Sequence, residues 1–171
     1  TRSMPVAAMV VRHCKAPAQL LLPLIALQAV WQGAPDALPL ISGVRHANGL
    51  LLLTALTWLG LRAVRGVAQG VTGLHPVDVE DNLQARRIHT QTRMLARTAM
   101  FVILLAGLAL MLMTFPGARQ FGASLLASAG VVGLVVGIAA RPIFSNLIAG
   151  LQIALAQPIR IDDVLIVEGE W

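Results

Sequence analysis

Four apolar stretches dominate this sequence, and they decide what kind of fold it can adopt. The two in the C-terminal half, residues 98–115 and 121–140, carry no charged side chain. The two in the N-terminal half, residues 16–31 and 48–64, are shorter or hold an arginine near one end. A spanning helix needs about 20 mostly apolar residues, and flanking Arg and Trp side chains extend its reach. The sequence therefore predicts an all-α polytopic membrane protein with four transmembrane helices.

The overall composition agrees with this class. Hydrophobic residues make up 57% of the chain, charged residues make up 12%, and the mean hydropathy is +0.76. A water-soluble fold of this length cannot bury so much apolar surface. Cys14 has no disulfide partner in this sequence, and the histidines lack ligand spacing, so we expect no metal and no cofactor. No nucleophile or base accompanies the acidic residues, so we expect no catalytic residues and no enzyme activity.

Basic residues are distributed unevenly around the four stretches. Of the 13 Lys and Arg residues, only Arg45 and Arg119 fall on one side of a four-helix arrangement. Because cytoplasmic loops are enriched in Lys and Arg, both ends of the chain are expected on the cytoplasmic side of a bacterial inner membrane. The loops at residues 32–47 and 116–120 then face outward. Basic residues that gather at the ends of apolar runs do not favour nucleic-acid binding.

A polar connector at residues 75–97 follows the N-terminal helix pair, which occupies residues 1–74. Asp78 and Asp81 stand where an N-cap and a first-turn acid stabilise a helix start. We expect a cytoplasmic helix that runs directly into the third span. Its arginines either hold anionic lipid headgroups or snorkel to the interface as ordinary juxtamembrane residues. These candidate lipid-facing residues are Arg86, Arg87, Arg93 and Arg97.

The last apolar stretch predicts a kinked, pore-lining helix at residues 121–157. Pro142 lacks an N–H group and disfavours helical geometry at Arg141, so we expect two segments, 121–140 and 142–157. At about 100° per residue, Leu134 and Ile138 share a narrow apolar stripe of the first segment. A surface almost without side chains lies beside that stripe. It consists of Gly130, Gly133, Gly137 and Ala140.

This helical wheel supports two interpretations. In the first, identical helices pack in a ring through their small residues, and Leu134 and Ile138 form two stacked apolar rings around the axis. Such a narrow apolar neck excludes water, and ions cannot pass through it without their hydration water. In the second interpretation, the glycines only let this helix pack against its neighbours in the same subunit.

Residues 158–171 alternate between apolar and charged side chains and then form a β-prone run. They predict the first strand or hairpin of a cytoplasmic β domain. A single hairpin is not stable alone, so we expect the rest of that domain to lie beyond this sequence.

Three motifs together resemble the small-conductance mechanosensitive channel (MscS-like) family. They are GLVVGIAA at 133–140, FSNLIAG at 144–150 and QPIRIDD at 157–163. The similarity is strong from about Ala127 to Trp171 and weaker through the connector, as in bacterial members with extra N-terminal helices. It implies a homo-heptameric pore that membrane tension opens, releasing ions and small osmolytes on hypo-osmotic shock.

The resemblance also implies roles for individual residues. Leu134 and Ile138 match the gate, and Arg141-Pro142 matches the kink. The glycines beside the stripe match the family's helix-packing surface, and the implied partners are identical subunits, membrane lipids and permeant ions. Pro142 stands where members often carry Gly, which implies a more fixed bend. The second half of the pore helix is matched by Ser145, Asn146 and Gly150.

Two other functions remain open at this point. A secondary transporter is disfavoured because the cores of the four spans lack the ionisable residues that coupled transport usually needs. A non-conducting oligomeric scaffold would use the glycine surface for assembly alone.

Overall fold

The computed structural model describes residues 5–33, 40–74 and 83–156, and the elements in these ranges are four α-helices. Each helix is long and apolar enough to cross a membrane. The predicted all-α chain with four such helices is confirmed for the described residues. The helices are α1 (Pro5–Gln32), α2 (Ile41–Gly73), α3 (Leu83–Met113) and α4 (Arg119–Ala156).

The chain divides into two compact units at residues 126 and 127. In its described part, the first unit holds α1, α2, α3 and the first two turns of α4. The second unit holds the remainder of α4. The predicted strand at residues 158–171 lies outside the described residues.

The helices extend beyond the apolar stretches that predicted them. α1 begins at Pro5, well before residue 16, and α2 continues to Gly73. α3 begins at Leu83, so the described part of the connector, residues 83–97, forms one continuous helix with the third span, as predicted. The backbone hydrogen bonds of a helix join residues of the same segment and do not depend on apolar side chains. A helix can therefore continue beyond the apolar stretch into polar residues. The expected capping residues Asp78 and Asp81 lie outside the described part of the chain.

The structure differs from the prediction at Arg141-Pro142. α4 is one α-helix from Arg119 to Ala156 with Pro142 inside it, so the expected end of one helix and start of another is wrong. Proline removes one backbone hydrogen bond and crowds the carbonyl group four residues earlier. Helical geometry on both sides nevertheless persists, and spanning helices tolerate proline more readily than soluble ones. A bend in the helix axis stays a prediction.

Two glycines of α2 allow its close approach to α1. A Cβ atom added to Gly66 would lie 2.8 Å from the Cα atom of Val10. A Cβ atom added to Gly70 would lie 2.7 Å from the Cα atom of Val6. Small residues four positions apart let membrane helices pack backbone to backbone. This GxxxG pair was not among the predicted packing glycines, although its spacing is visible in the sequence.

α2 and α3 are antiparallel neighbours. Gly107 of α3 lies against the side chain of Thr57 in α2. Three residues further along α2, a Cβ atom added to Gly60 would lie 3.1 Å from Cγ2 of Ile103 in α3. As the residue number rises on α2, it falls on α3, so the later residues of α2 lie beside the earlier residues of α3.

A buried amide joins the second half of α1 to the first half of α2. Asn48 is 3% exposed, and its Nδ2 donates to Oε1 of Gln28 at 2.6 Å and to the carbonyl oxygen of Leu24 at 3.2 Å. Nearby, Arg45 Nη2 donates to the carbonyl oxygen of Trp31 at 3.0 Å. Polar side chains between apolar helices favour one register, because another register would leave the Nδ2 group of Asn48 without these two acceptors.

Replacing Asn48 with Ala is expected to destabilise the protein by roughly 1 kcal/mol, because both interhelical hydrogen bonds are lost. Thermal unfolding in detergent measures this effect. Thr90→Ala is the control, since the Thr90 hydroxyl donates only within α3, to the carbonyl oxygen of Arg86. Equal unfolding temperatures for the two variants would show that Asn48 does not join the helices.

Candidate functional site

The part of α4 in the second unit, residues 127–156, is helical throughout, so the predicted helical wheel applies to it. Leu134 and Ile138 lie one turn apart, about 6 Å along the axis and about 40° around it. Each side chain is 65% exposed. Two large apolar side chains thus project from the same side of the helix at successive turns.

The small-residue surface lies to one side of these two residues. Within this unit, a Cβ atom added to Gly130, Gly133 or Gly137 meets nothing within 4 Å. Ala140 continues the same surface one turn later. Another helix can approach such a surface closely because no side chain holds it away. Both interpretations of this surface, packing within one subunit and packing between identical subunits, stay predictions.

The continuity of α4 changes the position of the polar residues near Pro142. Because the segment stays helical, these residues keep the angular register of the preceding turns. At about 100° per residue, Arg141, Ser145 and Gln152 all fall within about 20° of Leu134. With a helix end at residue 141, as predicted from the sequence, Gln152 would not belong to this stripe. We call this set of residues the α4 stripe: it is apolar in its first half and has polar residues at intervals in its second half.

Two other residues predicted in the second half of the pore helix do not share the α4 stripe. Asn146 and Gly150 lie more than about 100° away from Leu134 around the helix. A Cβ atom added to Gly150 meets nothing within 4 Å in this unit. The structure therefore brings Ser145 into line with the predicted gate residues but leaves Asn146 and Gly150 on another face.

The four connector arginines divide into two pairs. Arg93 and Arg97 line a cleft between α2 and α3, whereas Arg86 and Arg87 do not. Arg65 of α2 completes the basic lining. In the sequence, Arg65 is predicted only as one of the basic residues that orient the chain in the membrane. Its position at the end of an apolar run was the available signal that it lies at the same level as Arg97.

The described histidines contact neighbouring groups of the protein. The Nδ1 atom of His13 is 2.8 Å from the carbonyl oxygen of Met9, and the His46 ring meets the Phe115 ring edge-on at 5.0 Å between centroids. Among the described residues, no three His, Cys, Asp or Glu side chains form a group able to hold a metal ion.

No protein-family model, curated protein or solved structure matches this chain. The resemblance to mechanosensitive channels consequently depends on the sequence motifs, chiefly those at 133–140, 144–150 and 157–163.

Proposed function

We propose that this chain is a subunit of a mechanosensitive ion channel, which opens under membrane tension and releases ions and small osmolytes on hypo-osmotic shock. The α4 stripe is the observation that carries the proposal. Leu134 and Ile138 suit a narrow apolar neck that closes by dewetting. Beyond that neck, the polar part of the α4 stripe suits a hydrated passage; it consists of Arg141, Ser145 and Gln152. The motif resemblance supports the same assignment.

A single copy of α4 cannot enclose a pore, so the proposal requires several subunits. The small-residue surface lies beside the α4 stripe, about 100° around the helix at Gly133. In a ring of identical helices, such a surface permits close contact between neighbours while the stripe faces the axis. We propose a homo-heptamer, the number that the family resemblance implies.

Tension acts on such an assembly through the equilibrium between its closed and open states. A stretched membrane favours the state that occupies more area, and it shifts the populations accordingly. The four apolar helices of each subunit provide the surface on which the bilayer acts. In this proposal the membrane lipids are therefore the partner that opens the channel.

Patch-clamp recording under suction tests the proposal directly. We expect the full-length protein in liposomes to show stepwise single-channel currents whose open probability rises with tension. Liposomes without protein are the control. A silent membrane with verified protein would support the scaffold instead. Solute uptake coupled to an ion gradient, without current steps, would support the transporter.

The proposed orientation predicts the labelling of two introduced cysteines. Cys14 is first replaced by Ser, and Gly73→Cys and Gly117→Cys are then made separately. Both glycines have no atom within 4 Å of an added Cβ, so neither substitution disturbs a contact. Because Gly117 follows α3 and Gly73 ends α2, they are expected on opposite sides of the membrane.

In spheroplasts, a membrane-impermeant maleimide is expected to label Gly117→Cys at once and Gly73→Cys only after permeabilisation. The reverse pattern would place the ends of the chain outside the cytoplasm. Labelling of both variants before permeabilisation would contradict the four-span topology.

A further inference from the structure

A cleft of ≈ 370 Å³ lies between the end of α2 and the beginning of α3. Three arginines line it: Arg65 from α2, and Arg93 and Arg97 from α3. Thr72 and Gln69 add neutral hydrogen-bonding groups to the same wall. The volume lies within the range of about 300–1,000 Å³ that is typical of small-molecule sites.

The charges of this cleft are not neutralised by the described helices. All eight acidic residues of the chain fall outside the ranges 5–33, 40–74 and 83–156, so no carboxylate lies in the described part. Three guanidinium groups from two helices therefore create a positive potential without a described counter-charge. Guanidinium groups bind phosphate oxygens well because their planar donors match the geometry of the anion.

The cleft lies at the level expected for lipid headgroups. Arg97 immediately precedes the uncharged stretch 98–115, and Arg65 follows the leucine-rich part of α2 at about the same height. Arginines at the ends of apolar spans lie at the boundary between hydrocarbon and water. A phosphate group in the cleft would thus be at the depth of a phospholipid headgroup.

An apolar path leads from the cleft towards the middle of the helices. On α3, Met100, Leu104 and Leu108 follow Arg93 and Arg97 at helical spacing, and the two leucines are exposed. On α2, Trp58 lies two turns from Arg65 on the same side and is 38% exposed, and the guanidinium carbon of Arg62 lies 5.8 Å from the centre of its ring. Such a path accommodates an acyl chain, which a free phosphate ion does not possess.

We propose that this cleft binds the headgroup of an anionic phospholipid, with an acyl chain along the apolar path of α2 and α3. The site goes beyond the proposed channel function and does not depend on it. It separates the connector arginines by role: Arg93 and Arg97 bind lipid together with Arg65, whereas Arg86 and Arg87 contribute only unspecific charge.

Quenching of Trp58 by brominated lipids tests this site. Trp31 and Trp171 are replaced by Phe so that Trp58 is the only fluorophore, and the protein is reconstituted in phosphatidylcholine with increasing brominated phosphatidylglycerol. We expect brominated phosphatidylglycerol to quench Trp58 more strongly than its fraction of the membrane lipid predicts. This excess quenching measures the selectivity of the site for phosphatidylglycerol over phosphatidylcholine. We expect the selectivity to fall about thirtyfold in Arg93→Gln/Arg97→Gln, given a contribution of about 1 kcal/mol for each arginine near an anionic membrane surface.

Arg86→Gln/Arg87→Gln is the matched control, because it removes the same charge from the same helix outside the cleft. Selectivity close to wild type in this variant supports the site. An equal loss in both double variants would overturn it, since the effect would then be unspecific. No loss in Arg93→Gln/Arg97→Gln would also overturn it.

Arg65→Gln provides a second check from the opposite wall, and it is expected to lower the selectivity about fivefold. Native mass spectrometry of the assembled protein with phosphatidylglycerol or phosphatidylcholine gives the same comparison without the Trp substitutions. Inorganic phosphate is expected not to displace the lipid. Displacement by phosphate at equal ionic strength would overturn the lipid assignment in favour of a free-anion site.

Discussion

Replacing Leu134 or Ile138 with Ser is expected to give a channel that leaks at rest. Each substitution removes about 2 kcal/mol of apolar contact per subunit. In a ring of identical subunits, the closed state loses several kcal/mol in total. Because 1.4 kcal/mol corresponds to a tenfold change, the open probability at zero tension should rise on the order of a hundredfold or more. Single-channel recording and the growth of expressing cells measure this leak.

Val132→Ser and Val136→Ser are the matched controls for these variants. The two valines are exposed to a similar degree, 62% and 60%, but lie on the side of α4 opposite the stripe. We expect them to stay closed at zero tension. If Leu134→Ser and Ile138→Ser also stay closed, these residues do not form the gate. A leak from the valine variants alone would place the pore on the other side of the helix.

Replacing Gly66 or Gly70 with Ala is expected to force α1 away from α2. The added methyl group meets backbone atoms of α1 well inside van der Waals distance, and backbone cannot move aside as a flexible side chain can. Overpacking of this kind typically costs about 1–3 kcal/mol. We expect a lower unfolding temperature in detergent for each variant and a larger decrease for the double variant.

Gly49→Ala tests the same change on the same helix without the contact. An added Cβ at Gly49 meets nothing within 4 Å. Because Ala favours helix over Gly, this variant is expected to gain about 0.5–1 kcal/mol. The two substitutions should therefore shift stability in opposite directions. A destabilised Gly49→Ala, or an unchanged Gly66→Ala, would show that the α1–α2 contact does not depend on these glycines.

The candidate site was predictable only in part. The apolar periodicity that placed Leu134 and Ile138 together is a local property, and an uninterrupted helix preserves it. The helix boundary predicted at residue 141 is wrong, because the cost of the one backbone hydrogen bond that Pro142 removes does not end the helix. The helical turns on either side outweigh it, and this continuity aligns Gln152 with the gate residues.

The cleft residues show the opposite situation. Arg65 and Arg97 are far apart in the sequence, and each reads as an ordinary charge at the end of a span. Only the antiparallel contact of α2 with α3 brings them to opposite walls of the same cleft. Gly66 and Gly70 are a similar case. Their spacing permits close contact with another helix, but only the structure shows that this helix is α1.

The residues alone establish that four helices form and that each suits a membrane, because backbone hydrogen bonds within an apolar segment must be satisfied inside that segment. They do not establish which faces meet. Contact between helices depends on residues distant in sequence, such as Asn48 with Gln28 or Gly70 with Val6, which no local pattern connects. The tertiary structure decided these pairings, and with them the cleft between α2 and α3.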